Sequence, residues 1–360
     1  MNNDLSSFDF ENYKIGNIEK YKKVFPIYES FTLTLYELIK KFLDNRNLKY
    51  YSIEHRTKDY KSFGKKSSIP SDEDPNSPKY DDPLKQITDI SGIRVITYFL
   101  DTISNIEKVI ENEFNVIEKI DKKINLIDEN RFGYQSIHYI VKLNENRIGL
   151  SEYAKFKSLN AEIQIRTILQ HAWAEIEHDI QYKSVYTIPV NIKRRFMALA
   201  GLLEIADREF QTIHDVDEKY NNEDMIKIKK SDYENVRITP KSLKIYLDKK
   251  IGSDARMTDF SYDFETRILL KLGFKNIKEI DDCIKIYDGD LLSRIVWLSR
   301  LGQLNRFELM LLAGMGEHYI KNHILYNTEW FLKEQNDYLE KFKDKKITIG
   351  NYNPIEIGQA

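Results

Sequence analysis

The chain has 360 residues, 41% of them apolar and 31% charged, which is enough for two domains and at least one sizeable core. A formal net charge of −2 excludes a global basic field of the kind that gathers nucleic acid, while leaving room for a local basic patch. The lone Cys283 excludes an internal disulfide and a Cys-rich zinc site, and neither a signal pattern nor an apolar run of membrane-spanning length is present, so a cytoplasmic protein is expected.

In chain order, residues 18–46 carry apolar positions at helical spacing and predict one or two amphipathic helices. LKYYSIEHR predicts a strand, TKDYKSFGKK the basic start of the next element, and the Pro-, Ser- and Asp-rich SSIPSDEDPNSPKYDDP a loop. ITDISGIRVITYFL ends in a buried strand, ISNIEKVIENEF is helical, and FGYQSIHYIVKL and LNAEIQIR alternate as strands. A long helix follows LNAEIQIR, and IPVNIKRRFMALAGLLEIADREFQTI continues as an amphipathic helix with Pro near its start. Strands separated by helices predict an α/β domain over residues 15–215. The charged, weakly patterned residues 216–238 are expected to be a linker, residues 239–345 a smaller, mostly helical second domain, and residues 346–360 a tail.

The strand at 161–166 sets Glu162, Gln164 and Arg166 on one face and Ile163 and Ile165 on the other, because side chains alternate along a strand. One such strand is most often an ordinary half-exposed edge of a sheet. A second acid, Asp89, enters another apolar strand with Arg94 further along it, and two carboxylates at strand positions are what a Mg²⁺–phosphate site needs. Arg56, Lys58, Lys61, Lys65 and Lys66, with Ser62 among them, can neutralise a triphosphate or simply form a solvated helix face; no P-loop pattern is present. Tyr134 follows Gly133 and precedes Ser136 and His138, which suits a ring that stacks on a base as well as one that is buried after a turn. His171, Glu175 and His178 share a helix face in H-x-x-x-E-x-x-H spacing, which is not that of a zinc protease; this polar face, with Lys183 at its end, suits a phosphate-bearing cleft. The opposite stripe of Leu169, Ala172, Trp173, Ile176 and Ile180 is expected in the core.

Taken in order, R-x-K-x-x-x-S-x-x-x-K (Arg56 to Lys66), D-I-S-G-I-R-V (Asp89 to Val95), G-Y-Q-S-I-H (Gly133 to His138) and E-I-Q-I-R-T through W-A-E-I-E-H to Y-K (Glu162 to Lys183) resemble the synthetase domain of the RelA/SpoT family. The likeness covers roughly residues 20–215, in the manner of a small alarmone synthetase with an appended C-terminal domain. It implies a nucleotidyltransferase-like mixed β-sheet flanked by helices, and transfer of the β,γ-pyrophosphate of ATP to the 3′-hydroxyl of GDP or GTP. It further implies Mg²⁺ at Asp89, with Glu162 sharing the metal or activating the acceptor hydroxyl. Arg56 and Arg94 would sandwich the adenine, and Lys58, Ser62 and Lys66 would hold phosphates. Tyr134 would stack on the acceptor base, while His138, Gln164, Arg166, His178 and Lys183 would position acceptor or phosphate. No hydrolase domain is expected ahead of the synthetase.

The basic loop that precedes the G-Y-x-S motif in long family members is replaced here by KIDKKINLIDENRF, with Lys119, Lys122 and Lys123. Within the same chemistry, a toxin-type enzyme that pyrophosphorylates the tRNA 3′ CCA end is therefore a second expectation. Its C-terminal domain would restrain it or sense a phage or cellular protein, as in toxin–antitoxin systems of phage defence. A catalytically idle nucleotide sensor and a helical interaction protein are the readings from other classes; both acids and the basic segment are intact, which disfavours them.

Overall fold

A computed structural model describes residues 8–121, 136–183, 189–255 and 257–357, and the chain divides into two compact units, Met1–Ile213 and His214–Ala360. In the first unit, α1 (Phe10–Asn45) starts where the Asp9 carboxylate accepts from the Asn12 amide at 2.9 Å, and runs on through Pro26 as a single helix. Phe31, Leu35, Leu38, Ile39 and Phe42 recur at helical spacing and bury one face of it. Five strands follow: β1 (Ser52–Thr57), β2 (Ser91–Thr97), β3 (Phe114–Asp121), β4 (Ile137–Leu143) and β5 (Ala161–Thr167). They form one mixed sheet in the order β1-β2-β5-β4-β3, with β2 and β5 parallel and the other neighbours antiparallel. This is the expected helix-flanked mixed sheet.

The helices between the strands are α2 (Tyr60–Ser67), α3 (Pro83–Gln86), α4 (Leu100–Glu113) and α5 (Glu145–Ile148). Ile93, Val95, Ile163, Ile165, Tyr139 and Val141 put one face of the sheet into a core shared with Phe31 to Leu43 of α1 and Ile103 to Ile110 of α4. Period-two alternation then turns Glu54, Arg56, Gly92, Arg94, Glu162, Gln164 and His138 to the other face. Register brings them side by side: Glu54 pairs with Arg94, Arg94 with Gln164 and Gln164 with His138, while Arg56 pairs with Gly92 and Gly92 with Glu162.

α6 (Ile168–Lys183) starts from a reciprocal cap, in which the Gln170 amide donates to Thr167 Oγ1 at 3.1 Å and the Thr167 amide donates to Gln170 Oε1 at 2.9 Å. Its expected apolar stripe is corrected here. Trp173 is buried against Phe196, but Ala172 is exposed and Ile176 is 57% exposed, and the buried partner one turn away is the polar Gln170. The strand β3 has no counterpart among the sequence expectations, and α3 opens inside the expected loop, with Pro83 at its first position.

The boundary between the units falls within α7 (Val190–Lys229), so residues 216–229, expected as linker, are helical. Ile228 explains the extension, since it is buried in the core of the second unit. That unit is helical as expected: α8 (Pro240–Ile251), α9 (Asp259–Lys271), α10 (Ile277–Ile284), α11 (Gly289–Trp297), α12 (Gln303–Met315), α13 (Glu317–Asn322), α14 (Glu329–Asp344) and α15 (Pro354–Ile357). Leu309 to Met315 of α12 form its centre. The expected tail is not loose: the Gly350 amide donates to the Ala313 carbonyl at 2.8 Å and the Tyr352 amide to that of Gly314 at 3.0 Å, and the Tyr352 ring stacks on Phe274. Among the described residues no helix is long and apolar enough to cross a membrane.

Candidate active site

The polar face of the sheet forms the floor of a cavity of 530 Å³ lined by residues of β1, β2, β5 and α6 together with Lys58 and Asp89. Gly92 sits in mid-floor between Arg56 and Glu162, where the lack of a side chain keeps the space open. Asp89 is fixed by its neighbours Ile87 and Ile90, both buried against Tyr21, Tyr28 and Phe63. Lys58 is fixed from both sides: its amide donates to the Ile90 carbonyl at 2.8 Å, and its carbonyl accepts from Tyr21 Oη at 2.7 Å. Asp89 Oδ2 then takes Lys58 Nζ at 3.0 Å and Lys66 Nζ at 2.9 Å, while its buried Oδ1 has no hydrogen-bond partner.

Across the floor, Glu162 Oε1 lies 2.6 Å from His138 Nδ1 and Oε2 accepts from Gln164 Nε2 at 3.0 Å. His138 is buried, and its Nε2 is 2.8 Å from Ser136 Oγ. The set is consistent with a hydroxyl donating to Nε2 and Nδ1–H donating to the carboxylate, which would orient Glu162. Arg94 Nη1 is shared between Glu54 at 3.2 Å and Glu175 at 2.9 Å, and His171 lies 3.9 Å from Glu54 and 4.0 Å from Glu175. Arg166 is only 8% exposed; burial, helped by the nearby Arg94 charge, pulls its guanidinium down to about 10, so it stays cationic at neutral pH. Asp59 caps α2 by accepting from the Ser62 amide at 2.9 Å, and Ser62 holds its carboxyl below the usual range.

Among the described residues no cluster of three His, Cys, Asp or Glu forms a ready-made cation cage. The donor set nevertheless fits Mg²⁺, which takes one or two carboxylates and completes its shell with substrate phosphates and water; the unpartnered Asp89 Oδ1 is an oxygen of the required kind.

A family model described as a region found in RelA / SpoT proteins matches residues 55–186. Residues 55–186 are a RelA/SpoT domain. The chain is 35% identical over 126 residues to GTP pyrophosphokinase YwaC of Bacillus subtilis (strain 168), covering 35% of this chain and 57% of that protein. It is 28% identical over 132 residues to GTP pyrophosphokinase YjbM of the same organism, covering 36% and 59%. The match thus spans less than two thirds of the length of either curated relative. Among solved structures, small alarmone synthetase 1 from Bacillus subtilis aligns over 56% of this chain and 99% of that one, at 24% identity and a TM-score of 0.45.

Within the RelA/SpoT domain, Asp89 and Glu162 line the same cavity, as do Arg56, Lys58, Arg94 and Gln164. Lys66 reaches it through Asp89, and His138 adjoins it through Glu162. Ser62 lies on α2 and His178 on the exposed side of α6; neither is among the lining residues. Tyr134, Lys122 and Lys123 lie outside the described residues, as does the side chain of Lys183. Lys119 is on β3, bound to Glu107 at 2.6 Å. Sequence reasoning put Glu175 on a polar helix face suited to a phosphate-bearing cleft, and it is among the lining residues, but it missed Glu54 and Gly92. Each becomes visible only through register, which sets Glu54 beside Arg94 and Gly92 beside Glu162.

Proposed function

We propose that the RelA/SpoT domain transfers the β,γ-pyrophosphate of ATP to the 3′-hydroxyl of GDP or GTP. The observation that carries this reading is the convergence of Asp89 and Glu162 on one cavity with Arg56, Lys58 and Arg94, since the transferred group is highly anionic and the hydroxyl a poor nucleophile. Two relatives named GTP pyrophosphokinase support a guanine nucleotide as acceptor. A cytosolic setting, where both nucleotides are at hand, goes with it.

In this reading Arg56 and Arg94 stack on the adenine, and Lys58 and Lys66 leave Asp89 for the phosphates. Asp89 and Glu162 would hold Mg²⁺, which when bound neutralises charge on the transferred phosphates. Glu162, steered by His138 and Gln164, takes the proton of the acceptor hydroxyl. The O3′–Pβ bond forms, the bond from Pβ to the bridging α-oxygen breaks, and AMP leaves.

All lining residues of the cavity come from the first unit, which supports a regulatory part for the helical second unit. Removing residues 239–360 is then expected to change activity or toxicity. The deciding experiment offers ATP labelled on its γ-phosphate together with GDP, GTP or bulk tRNA. Label on the guanine nucleotide is the expected result, label on the tRNA 3′ end would shift the reading to the toxin-type reaction, and no transfer to any acceptor would leave an idle nucleotide sensor.

A further inference from the structure

The second unit holds a cavity of its own, 320 Å³ in volume and walled by α11, α12, α14 and the turn after α11. Helical spacing builds it: Glu308 and Leu309 reach it from α12, and Glu334 and Tyr338, one turn apart, reach it from α14. Trp297, the last residue of α11, and Leu301 complete an apolar wall. Trp297 Nε1 donates to Tyr338 Oη at 2.8 Å, and Tyr338 Oη donates to Glu334 Oε1 at 2.8 Å, so both rings have spent their donors within the wall. The cavity is left with two carboxyl groups, and no Lys, Arg or His is among the described residues that line it. Lys341, 5.8 Å from the centre of the Tyr338 ring, is taken by Asp337 at 2.7 Å and is not part of the lining.

A third carboxyl stands behind these two. Glu265 of α9, 1% exposed, is hydrogen-bonded to Glu308, and its Oε1 finds no other partner among the described residues. Burial raises the Glu308 carboxyl above its ordinary value, and the Glu334 charge adds to the rise. Positive charge is what this corner lacks. A bare metal ion is a poor fit, because it needs a shell of oxygens, and among the described residues no group of three His, Cys, Asp or Glu is set to hold one. Carboxylates beside an indole and a phenol ring attract an ammonium or guanidinium head, and leucine walls suit an alkyl chain. The volume lies at the lower end of the range of small-molecule sites, about 300–1,000 Å³. We propose that this cavity binds a small organic cation, an alkyl chain ending in an ammonium or guanidinium group, with its head held by Glu308 and Glu334 against the Trp297 ring and its chain along Leu301 and Leu309.

The full-length chain, without ATP or acceptor, is titrated with butylammonium and with butylguanidinium at constant ionic strength, and binding is read by calorimetry and by tryptophan fluorescence. Pentanol serves as the neutral counterpart, and a short capped peptide with one arginine as the side-chain counterpart. The expected result is saturable binding of at least one of the two cations at one site per chain, with pentanol and the peptide much weaker. Glu308→Gln and Glu334→Gln should each weaken that binding by about tenfold or more. Asp337→Asn removes a charge from the same helix outside the cavity and should leave it unchanged, which separates a built site from diffuse acidity. Trp297→Leu keeps an apolar wall without the ring and should weaken binding too, so the test stays decisive if one of the glutamate variants folds poorly. Failure of both cations to saturate overturns the proposal. So does pentanol binding as tightly as the cations, or affinity indifferent to Glu308→Gln, Glu334→Gln and Trp297→Leu. A peptide bound more tightly than butylguanidinium would give the cavity to the side chain of a partner protein and would overturn the free-cation reading.

Discussion

Glu162 is held by His138 Nδ1 on one oxygen and Gln164 on the other, so replacing it tests a proton acceptor whose surroundings stay in place. Glu162→Gln is expected to lower pyrophosphate transfer by about 10²-fold or more, while ATP affinity measured by calorimetry changes little. Near-normal turnover would remove Glu162 from the chemistry. At Arg94 the expected effect has the opposite sign. Glu175 competes for its guanidinium, and an exposed pair of this kind contributes about 0.2–1 kcal/mol. Glu175→Gln should therefore tighten ATP binding by a factor of up to about five, read as a lower dissociation constant; weaker binding would mean that the carboxylate holds Arg94 in its binding pose instead. Glu162 was legible in the sequence because strand alternation exposes it, and Asp89, in the turn ahead of β2, because it stands at the entry to an apolar strand. Glu54 and Gly92 were not, because their meaning depends on which strands become neighbours, and pairing order is not written in any one strand.

At the scale of elements, the caps and faces that position the site follow from short-range chemistry, and most were readable. The strand β3 was not: its residues Phe114–Asp121 abut the preceding helix with no intervening Gly or Pro, and the chain passes directly from one to the other at Phe114. The apolar stripe expected on α6 failed for a related reason, since periodicity marks a face without saying what covers it. Thr167 shows how much one junction carries. It closes the cap with Gln170 and donates to the buried Asp207, joining β5, α6 and α7. Thr167→Ala should lower the stability of the first unit by about 2 kcal/mol in urea unfolding, and Thr167→Ser should recover most of it. Equal losses in both variants would show that the methyl group, not the hydroxyl, is what matters.

Over the whole molecule, each unit has a core of its own, and the second contains an unusual acid pair. Glu265 is 1% exposed and hydrogen-bonded to Glu308; burial above all, and then the Glu308 charge, raises its carboxyl well above the ordinary value. Between that ordinary value and the raised one, the folded chain keeps a proton that the unfolded chain has lost. Stability of the second unit should therefore fall as the pH rises above the ordinary carboxyl value, and Glu265→Gln, which cannot ionise, should flatten the slope and gain most at the alkaline end. Urea midpoints across that range check it; an unchanged slope would place the titration elsewhere. The helical character of this unit was legible from its spacing. Its reach was not, because Ile228 at the start and Tyr352 at the end join its packing from segments whose composition reads as linker and tail.

The pairing of Asp89 with Lys58 and Lys66, and of Arg94 with Glu54 and Glu175, has a bearing on how a polyanion enters. The cations of the cleft are already neutralised from within, so in the proposed reaction a nucleotide would trade partners with carboxylates instead of driving a cloud of dissolved chloride off bare cations. Added salt should then loosen nucleotide capture far less than a tally of the positive residues around the cleft would suggest.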